Sequence, residues 1–300
     1  MDTAKLDLFL KIAETENLSQ AARELGYTQS GASHTIRSLE EELGGVKLFT
    51  RGREGSLLTP AGQSALSSAK EILYWESQMK KDIQKAIHDV SVLRVAFLPS
   101  LAKLWMLPII DLMRTRHPGV RFETIVCDNR SIIQWINSGD VDCGFAWLSK
   151  GSTLRSLFVC SDPFVAVLSK DHPLAAKDTI SIKDLEPYCL IRIFWDVFDD
   201  IINEISAFGV QMRSEQKAGE IGELFRFVDE GAGISVMPEA LYAFGEGNVT
   251  CRPLKENLKR GISIAVHQSK STSPLVQSLH DVTIELLNSG VISMQKKVSR

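Results

Sequence analysis

Residues 19–45 read SQAARELGYTQSGASHTIRSLEEELGG, and their spacing decides the first part of the fold. Ser19 is a good N-cap for a short helix, Gln20–Leu25, which Gly26 can end. Thr28 can cap the next helix. In it Ala32, Ile36, Leu39 and Leu43 stand four, three and four residues apart, a single apolar stripe. Gly44-Gly45 stops it. Upstream, Leu6, Phe9, Leu10 and Ala13 form the stripe of an earlier helix over 3–14. Helix, short helix, glycine-containing turn, helix is a helix-turn-helix pattern.

The face opposite the stripe of the third helix carries Gln29, Ser30, Ser33, His34 and Arg37, with Thr28 at its cap. These side chains suit base edges and phosphates: Gln for adenine, Arg or His for guanine or phosphate, Ser for either. Gly31 costs such a helix about 1 kcal/mol relative to Ala, and close approach to a groove wall would explain it. The alternative is an ordinary solvated face. Residues 46–59 read as two short strands around a glycine-rich tip, a β-wing. Lys47, Arg51 and Arg53 face one acid there, Glu54, which suits phosphate or minor-groove contact. Glu40–Glu42, at the far end of the third helix, are expected to point away from DNA or into solvent.

Net charge does not reveal this. The chain has 34 basic and 37 acidic side chains, −3 overall, and residues 1–60 alone hold 7 and 9. Charge averaged over a chain hides where the charges sit. With 300 residues, 44% hydrophobic and 24% charged, the composition is globular and implies at least two domains.

Thr59-Pro60 opens a long helix, a cap followed by Pro at the first helical position. Ala65, Ala69, Ile72, Met79, Ile83, Ala86 and Val90 continue the stripe to about residue 90, interrupted at Glu76. Some 30 residues span roughly 45 Å. Such a stripe needs a cover, and a second copy of the same helix would supply one. Beyond it the pattern alternates: strand Leu93–Leu98, helix 101–116, strand Arg121–Cys127, helix 130–138, strand Asp142–Trp147. That order predicts a parallel sheet flanked by helices. Further strands are expected at Phe164–Leu168, Tyr188–Ile193, Ile234–Met237 and Ile262–Val266, with helices near 195–208, 219–230 and 274–288.

The first 90 residues resemble the winged helix-turn-helix and linker helix of LysR-type transcriptional regulators. The matching residues are Ala21-Ala22-x-x-Leu25, Thr28-Gln29-Ser30-x-x-Ser33-x-x-Ile36-x-x-Leu39-Glu40-x-x-Leu43-Gly44, Leu48-Phe49-x-Arg51 and Leu58-Thr59-x-Ala61-Gly62. Phe227-Val228-x-x-Gly231-x-Gly233-Ile234-x-x-Met237-Pro238 is similar to a recurrent segment of the family's effector domain. Two departures stand out: one residue more at Gly44-Gly45-Val46, and Ser30 where many members have Pro.

The resemblance implies a mixed fold of three parts. These are a mainly α winged helix-turn-helix (1–59), a linker and dimerisation helix (60–90), and a two-lobed α/β effector domain resembling periplasmic binding proteins (91–300). Lobe I would hold about 91–162 and 268–300, and lobe II about 163–267. The third helix would dock in the major groove of promoter DNA. The linker helix would make a dimer, dimers would pair into tetramers, and RNA polymerase is a further candidate partner.

Ligands of open α/β sheets bind outside the carboxyl ends of strands. Those ends are Pro99-Ser100-Leu101, Asp128-Asn129-Arg130-Ser131 and Trp147-Leu148 in the first lobe, and Arg192-Ile193-Phe194-Trp195 in the second. The first two also open helices, whose free N–H groups favour an anion. Trp147 and Trp195 read either as an aromatic wall or as packing between lobes. Arg130 and Arg192 read either as counter-charges or as surface ion pairs. An organic acid or an aromatic compound is the expected effector.

Other chemistry finds little support. The five cysteines form no C-x-x-C pair, the histidines have no i+4 partner, and neither a metal nor a cofactor is expected. No Gly-x-Ser-x-Gly or P-loop pattern points to an enzyme. No apolar run approaches the roughly 20 residues of a membrane helix, and the first residues do not read as a signal peptide. The expected location is the cytoplasm.

Overall fold

The computed structural model describes residues 2–52, 55–88, 91–149, 151–194, 196–271 and 273–294. The chain divides into two compact units, Met1–Asp89 with Asn137–Asp140, and Val90–Ile136 with Val141–Arg300.

The first unit opens with α1 (Thr3–Thr15), α2 (Leu18–Glu24) and α3 (Gln29–Glu42). The buried face of α1 is Leu6, Leu8, Phe9 and Ile12 rather than a stripe through Leu10 and Ala13. Leu8 and Ile12 turn it toward Ala21, Ala22, Ala32 and Leu39 in one core. The cap of α2 is Asn17, not Ser19: its side chain accepts the Gln20 N–H. Gly26 ends the turn at φ +73°, a backbone that favours glycine. In α3 the buried positions are Ala32, Ile36, Leu39 and Glu40, and Leu43 is exposed at the helix end. Gly44 and Gly45 both take positive φ there and bring the chain back to the wing. The wing is the antiparallel pair β1 (Phe49–Gly52) and β2 (Gly55–Leu58). The 29-residue α4 (Pro60–His88) follows. It buries Ala69 and Leu73 in the same core and leaves Ile72, Trp75, Met79 and Ile83 exposed.

The second unit begins with β3 (Ser91–Phe97) and a helical stretch in three pieces. These are α5 (Pro99–Leu101), a π-turn over Ala102–Met106, and α6 (Leu107–Arg116). An unbroken helix over 101–116 is prevented by Pro108, which has no N–H for the Leu104 carbonyl. Next come β4 (Val120–Val126), α7 (Asn129–Ser138) and β5 (Cys143–Ala146), with β4 and β5 both parallel to β3.

The fifteen-residue β6 (Arg155–Ser169) is one strand where only Phe164–Leu168 is expected from the pattern. Pro163 hides it: proline reads as a break, yet here it stands in the ladder opposite Lys259. Its neighbour Phe164 donates its N–H to Leu258 instead.

The rest comprises β7 (Cys189–Arg192), α8 (Asp196–Ala207), β8 (Ser214–Lys217), α9 (Ile221–Asp229), β9 (Ser235–Pro238) and α10 (Glu239–Tyr242). It closes with β10 (Val249–Pro253), β11 (Lys259–Val266) and α11 (Pro274–Asn288). The main sheet runs β10-β6-β11-β5-β3-β4, with β9 also on β6, and β7-β8 form a separate parallel pair. Two apolar cores result. One holds Phe97, Trp105, Phe145 and Leu279, and the other Val167, Ile191, Phe198 and Phe225. The antiparallel strands β6 and β11 run from one to the other. The return crossing falls earlier than residue 267, because Ile262, Ile264, Ala265 and Val266 already lie in the first core.

Candidate DNA interface and effector cleft

Thr28 caps α3 by accepting the Gly31 N–H on its hydroxyl at 3.1 Å. A Cβ on Gly31 would stand 3.0 Å from that oxygen, so the glycine makes room for the cap. Thr28, Gln29, Ser30, His34 and Arg37 are exposed, and Ser33 is half-buried. Burial of Ala32, Ile36 and Leu39 fixes this face outward. Ser33 and Arg37 also line a groove of about 290 Å³ between α3 and the wing, with Lys47, Phe49 and Ser56 across from them.

The acids at the end of α3 do not simply face solvent. Glu40 is buried: Oε1 accepts the Leu48 N–H at 2.9 Å, and Oε2 pairs with the Lys47 ammonium at 2.6 Å. Lys47 is therefore paired within the protein. Glu42 pairs with Lys5. Arg51 lies on β1 opposite Ser56, whose N–H reaches the Glu16 carbonyl at 2.7 Å and so ties β2 to the end of α1. Arg53 lies outside the described residues.

The second unit has a cavity of about 130 Å³ lined by Leu98, Pro99, Ser100, Cys127, Asp128, Asn129, Trp147, Val197, Leu241 and Arg260. Both cores supply side chains to it, Leu98 from one and Val197 from the other. Of the residues expected at strand ends, it gathers Pro99, Ser100, Asp128, Asn129 and Trp147. Leu101 and Ile193 are buried in the cores, because their side chains turn inward from the chain at those ends. Arg130 is exposed and outside the lining. Arg192 is held by Asp199 at 3.0 Å and Glu215 at 2.9 Å, so its charge is spent within the second lobe. Phe194 is exposed and lies under the Lys217 ammonium, 4.7 Å from the ring centre. Trp195 lies outside the described residues.

Asn129 accepts the Trp147 N–H at 3.0 Å and donates to the Trp147 carbonyl at 3.1 Å, which fixes the end of β5 against the start of α7. Trp147 packs against both cores. Burial, then the nearby Asp128 charge, pushes the Cys127 thiol up to about 11. The residue missed in the sequence is Arg260. It is buried, donates to Asp162 Oδ2 through Nε at 3.0 Å and Nη2 at 2.8 Å, and lies 4.7 Å over the Trp147 ring. Its signal was weak: Lys259-Arg260 before a strand looks like an ordinary solvated strand start.

A helix-turn-helix with an outward polar face, and a two-lobed α/β unit with a cavity at its strand ends, define a DNA-binding regulator that carries a small-molecule domain. Residues 3–63 match the family described as "Bacterial regulatory helix-turn-helix protein, lysR family", and residues 88–288 match "LysR substrate binding domain". The chain belongs to the LysR family of DNA-binding transcription regulators, with its effector-binding domain.

It is similar to the transcriptional regulator BudR of Raoultella terrigena, 25% identical over 88% of this chain and 94% of BudR. Full-length BenM shares the fold at a TM-score of 0.62 and 23% identity, covering 99% of this chain and all of BenM. The BenM effector-binding domain is known with its effector benzoate; it has a TM-score of 0.61 at 20% identity, covering 68% of this chain and 95% of that one. CbnR in complex with its target DNA has a TM-score of 0.53 at 19% identity, covering 95% of this chain and 99% of CbnR. Among the described residues no helix is long and apolar enough to cross a membrane.

Proposed function

We propose that this protein reads a specific promoter sequence through α3 and that a small organic acid or aromatic compound, bound in the cleft, changes how it does so. Residues 1–59 would bind DNA, 60–90 would link and dimerise, and 91–300 would hold the effector. Gln29, Ser30, Ser33 and His34 would contact base edges, and Thr28, Arg37, Arg51 and Arg53 the backbone. Lys47 would reach a phosphate only by leaving Glu40.

The observation that carries this reading is the division of α3. Its apolar residues are buried, and Gln29, Ser30, His34 and Arg37 are all exposed on one side. The known complex of CbnR with DNA and that of the BenM domain with benzoate support the two halves of the reading by fold.

The dimer would form through the exposed stripe Ile72, Trp75, Met79 and Ile83, at three- and four-residue spacing. Dimers would pair into tetramers, RNA polymerase would be contacted at the promoter, and the protein would work in the cytoplasm.

The test is reciprocal coupling. Fluorescence anisotropy measures affinity for a duplex from the region upstream of its own gene, with and without saturating benzoate or another acid that raises Tm. The expected result is a shift in DNA affinity of about 5- to 150-fold, with the same shift in acid affinity when DNA is present. An acid that binds and leaves DNA affinity and footprint unchanged contradicts the reading.

A further inference from the structure

The N-terminus of α7, the first place to look for a bound anion, is already filled. Asp128 Oδ1 accepts the Ser131 N–H at 2.8 Å, so a carboxylate of the protein's own caps the helix. Asn129, the next residue, has both polar atoms of its side chain committed to Trp147. An effector anion gains little there and meets the Asp128 charge.

The opposite side of the cavity is different. Arg260 is buried, with a side-chain exposure of 6%, and its partner Asp162 is fully buried. Nε and Nη2 share one oxygen of Asp162, while Asp162 Oδ1 accepts the Ala240 N–H at 3.1 Å. The Nη1 edge of Arg260 has no hydrogen-bond partner among the described residues, and Arg260 lines the cavity. Ser100, also lining the cavity and 1% exposed, has a hydroxyl with no partner among the described residues. A guanidinium edge and a hydroxyl, both donors and both desolvated, are suited to one carboxylate. The other walls are apolar: Leu98, Pro99, Val197 and Leu241.

We propose that Arg260 selects the effector by charge, so that the cleft takes a small apolar monocarboxylate and rejects both its neutral isostere and a dicarboxylate. The inference rests on the cleft being the effector site. The carboxylate meets the Nη1 edge of Arg260 and the Ser100 hydroxyl, and the hydrocarbon part lies against the apolar walls. A second carboxylate would face Asp128, and among the described lining residues no cation besides Arg260 is there to meet it. The volume, about 130 Å³, is well under the roughly 300 Å³ at which pockets begin to take drug-sized ligands. Arg260 and Asp162 also stand directly opposite each other on β11 and β6, the two strands that pass between the lobes. An anion on Arg260 therefore acts on the crossing itself.

The experiment uses the full chain and thermal shift with benzoate, phenylacetate, their two amides, and phthalate. The acids are expected to raise Tm in a dose-dependent way, and the amides and phthalate are not. Arg260→Lys keeps the ion pair and is expected to weaken acid binding about tenfold, since a planar fork is lost. Arg260→Met with Asp162→Leu removes both charges together, leaves no lone buried ion, and should abolish the preference for acids.

Amides that stabilise as well as acids overturn the proposal, as does a double variant that still prefers acids. If neutral compounds bind and no acid does, the cleft remains the effector site and Arg260 is not its selector. If a broad set of small molecules leaves Tm unchanged, both readings fall.

Discussion

Glu40 and Lys47 form an ion pair at 2.6 Å between the recognition helix and the start of the wing, with the carboxylate side chain only 7% exposed and the ammonium side chain 67% exposed. The same carboxylate holds the Leu48 N–H. The pair is thus a strut that sets the wing against α3, and Lys47 would reach a phosphate only by leaving it. Lys47→Met is expected to leave the salt dependence of binding to a random-sequence duplex unchanged. A genuine phosphate contact would lower the slope of log K against log salt by about 0.9. Glu40→Ala strands the Leu48 N–H and should destabilise the protein by about 1–3 kcal/mol in urea unfolding.

Base and backbone contacts should separate in a second pair of variants. Gln29→Ala and His34→Ala are expected to weaken specific binding by about 1–3 kcal/mol and to relax the preference at one base pair each. Arg37→Ala should weaken all duplexes about equally. Competition binding against single-base operator variants checks both. Equal losses on every sequence for Gln29→Ala would remove it from the base-reading set.

The stripe Ile72, Trp75, Met79 and Ile83 is exposed on α4 and is the face proposed for the dimer. Trp75, with 55% of its surface exposed, is the largest of the four. Trp75→Glu is expected to shift the chain toward monomer in sedimentation velocity, with association weaker by about 2 kcal/mol or more. Its fold, read by circular dichroism, should persist, because Leu73 and Ala69 hold α4 to its core from the other side. An unchanged assembly would exclude this face.

His172 supplies a pH signature. Burial lowers its pKa below 6.5 in the folded state, where Nδ1 accepts the Leu174 N–H and the ring meets Tyr188 edge to face. The unfolded state therefore takes up the proton first as pH falls. The stability contributed by the neutral ring is complete above pH 6.5 and is lost below it, down to the folded pKa. His172→Asn keeps an acceptor for the cap and does not titrate. The difference in stability between wild type and this variant should be flat above pH 7 and move in favour of the variant on acidification.

The first unit was largely legible because its elements are local. Thr28 as a cap and the Ala32–Ile36–Leu39 stripe need only neighbouring residues to be read. The errors arose where a distant residue decides. Glu40 looks solvated until Leu48 and Lys47 fold back on it. Leu8 and Ile12 outrank Leu10 and Ala13 only once the other helices choose a side. In the second unit, Pro163 disguised a continuous strand because its place in the ladder depends on a partner almost a hundred residues away. The strand ends located Pro99, Ser100, Asp128, Asn129 and Trp147 at the cavity, but they did not locate Arg260. Its role comes from Asp162 across the ladder and from Trp147 beneath it, and no periodicity encodes either.

The central claim is sequence-specific DNA binding by α3, and competition anisotropy tests it most directly. The full chain is titrated near physiological salt with a duplex from the region upstream of its own gene, against a scrambled duplex of equal length and composition. The account predicts a preference of at least about 10³ for the upstream duplex, reduced by Gln29→Ala. Equal affinity for the two duplexes, with no effect of that substitution, would contradict it.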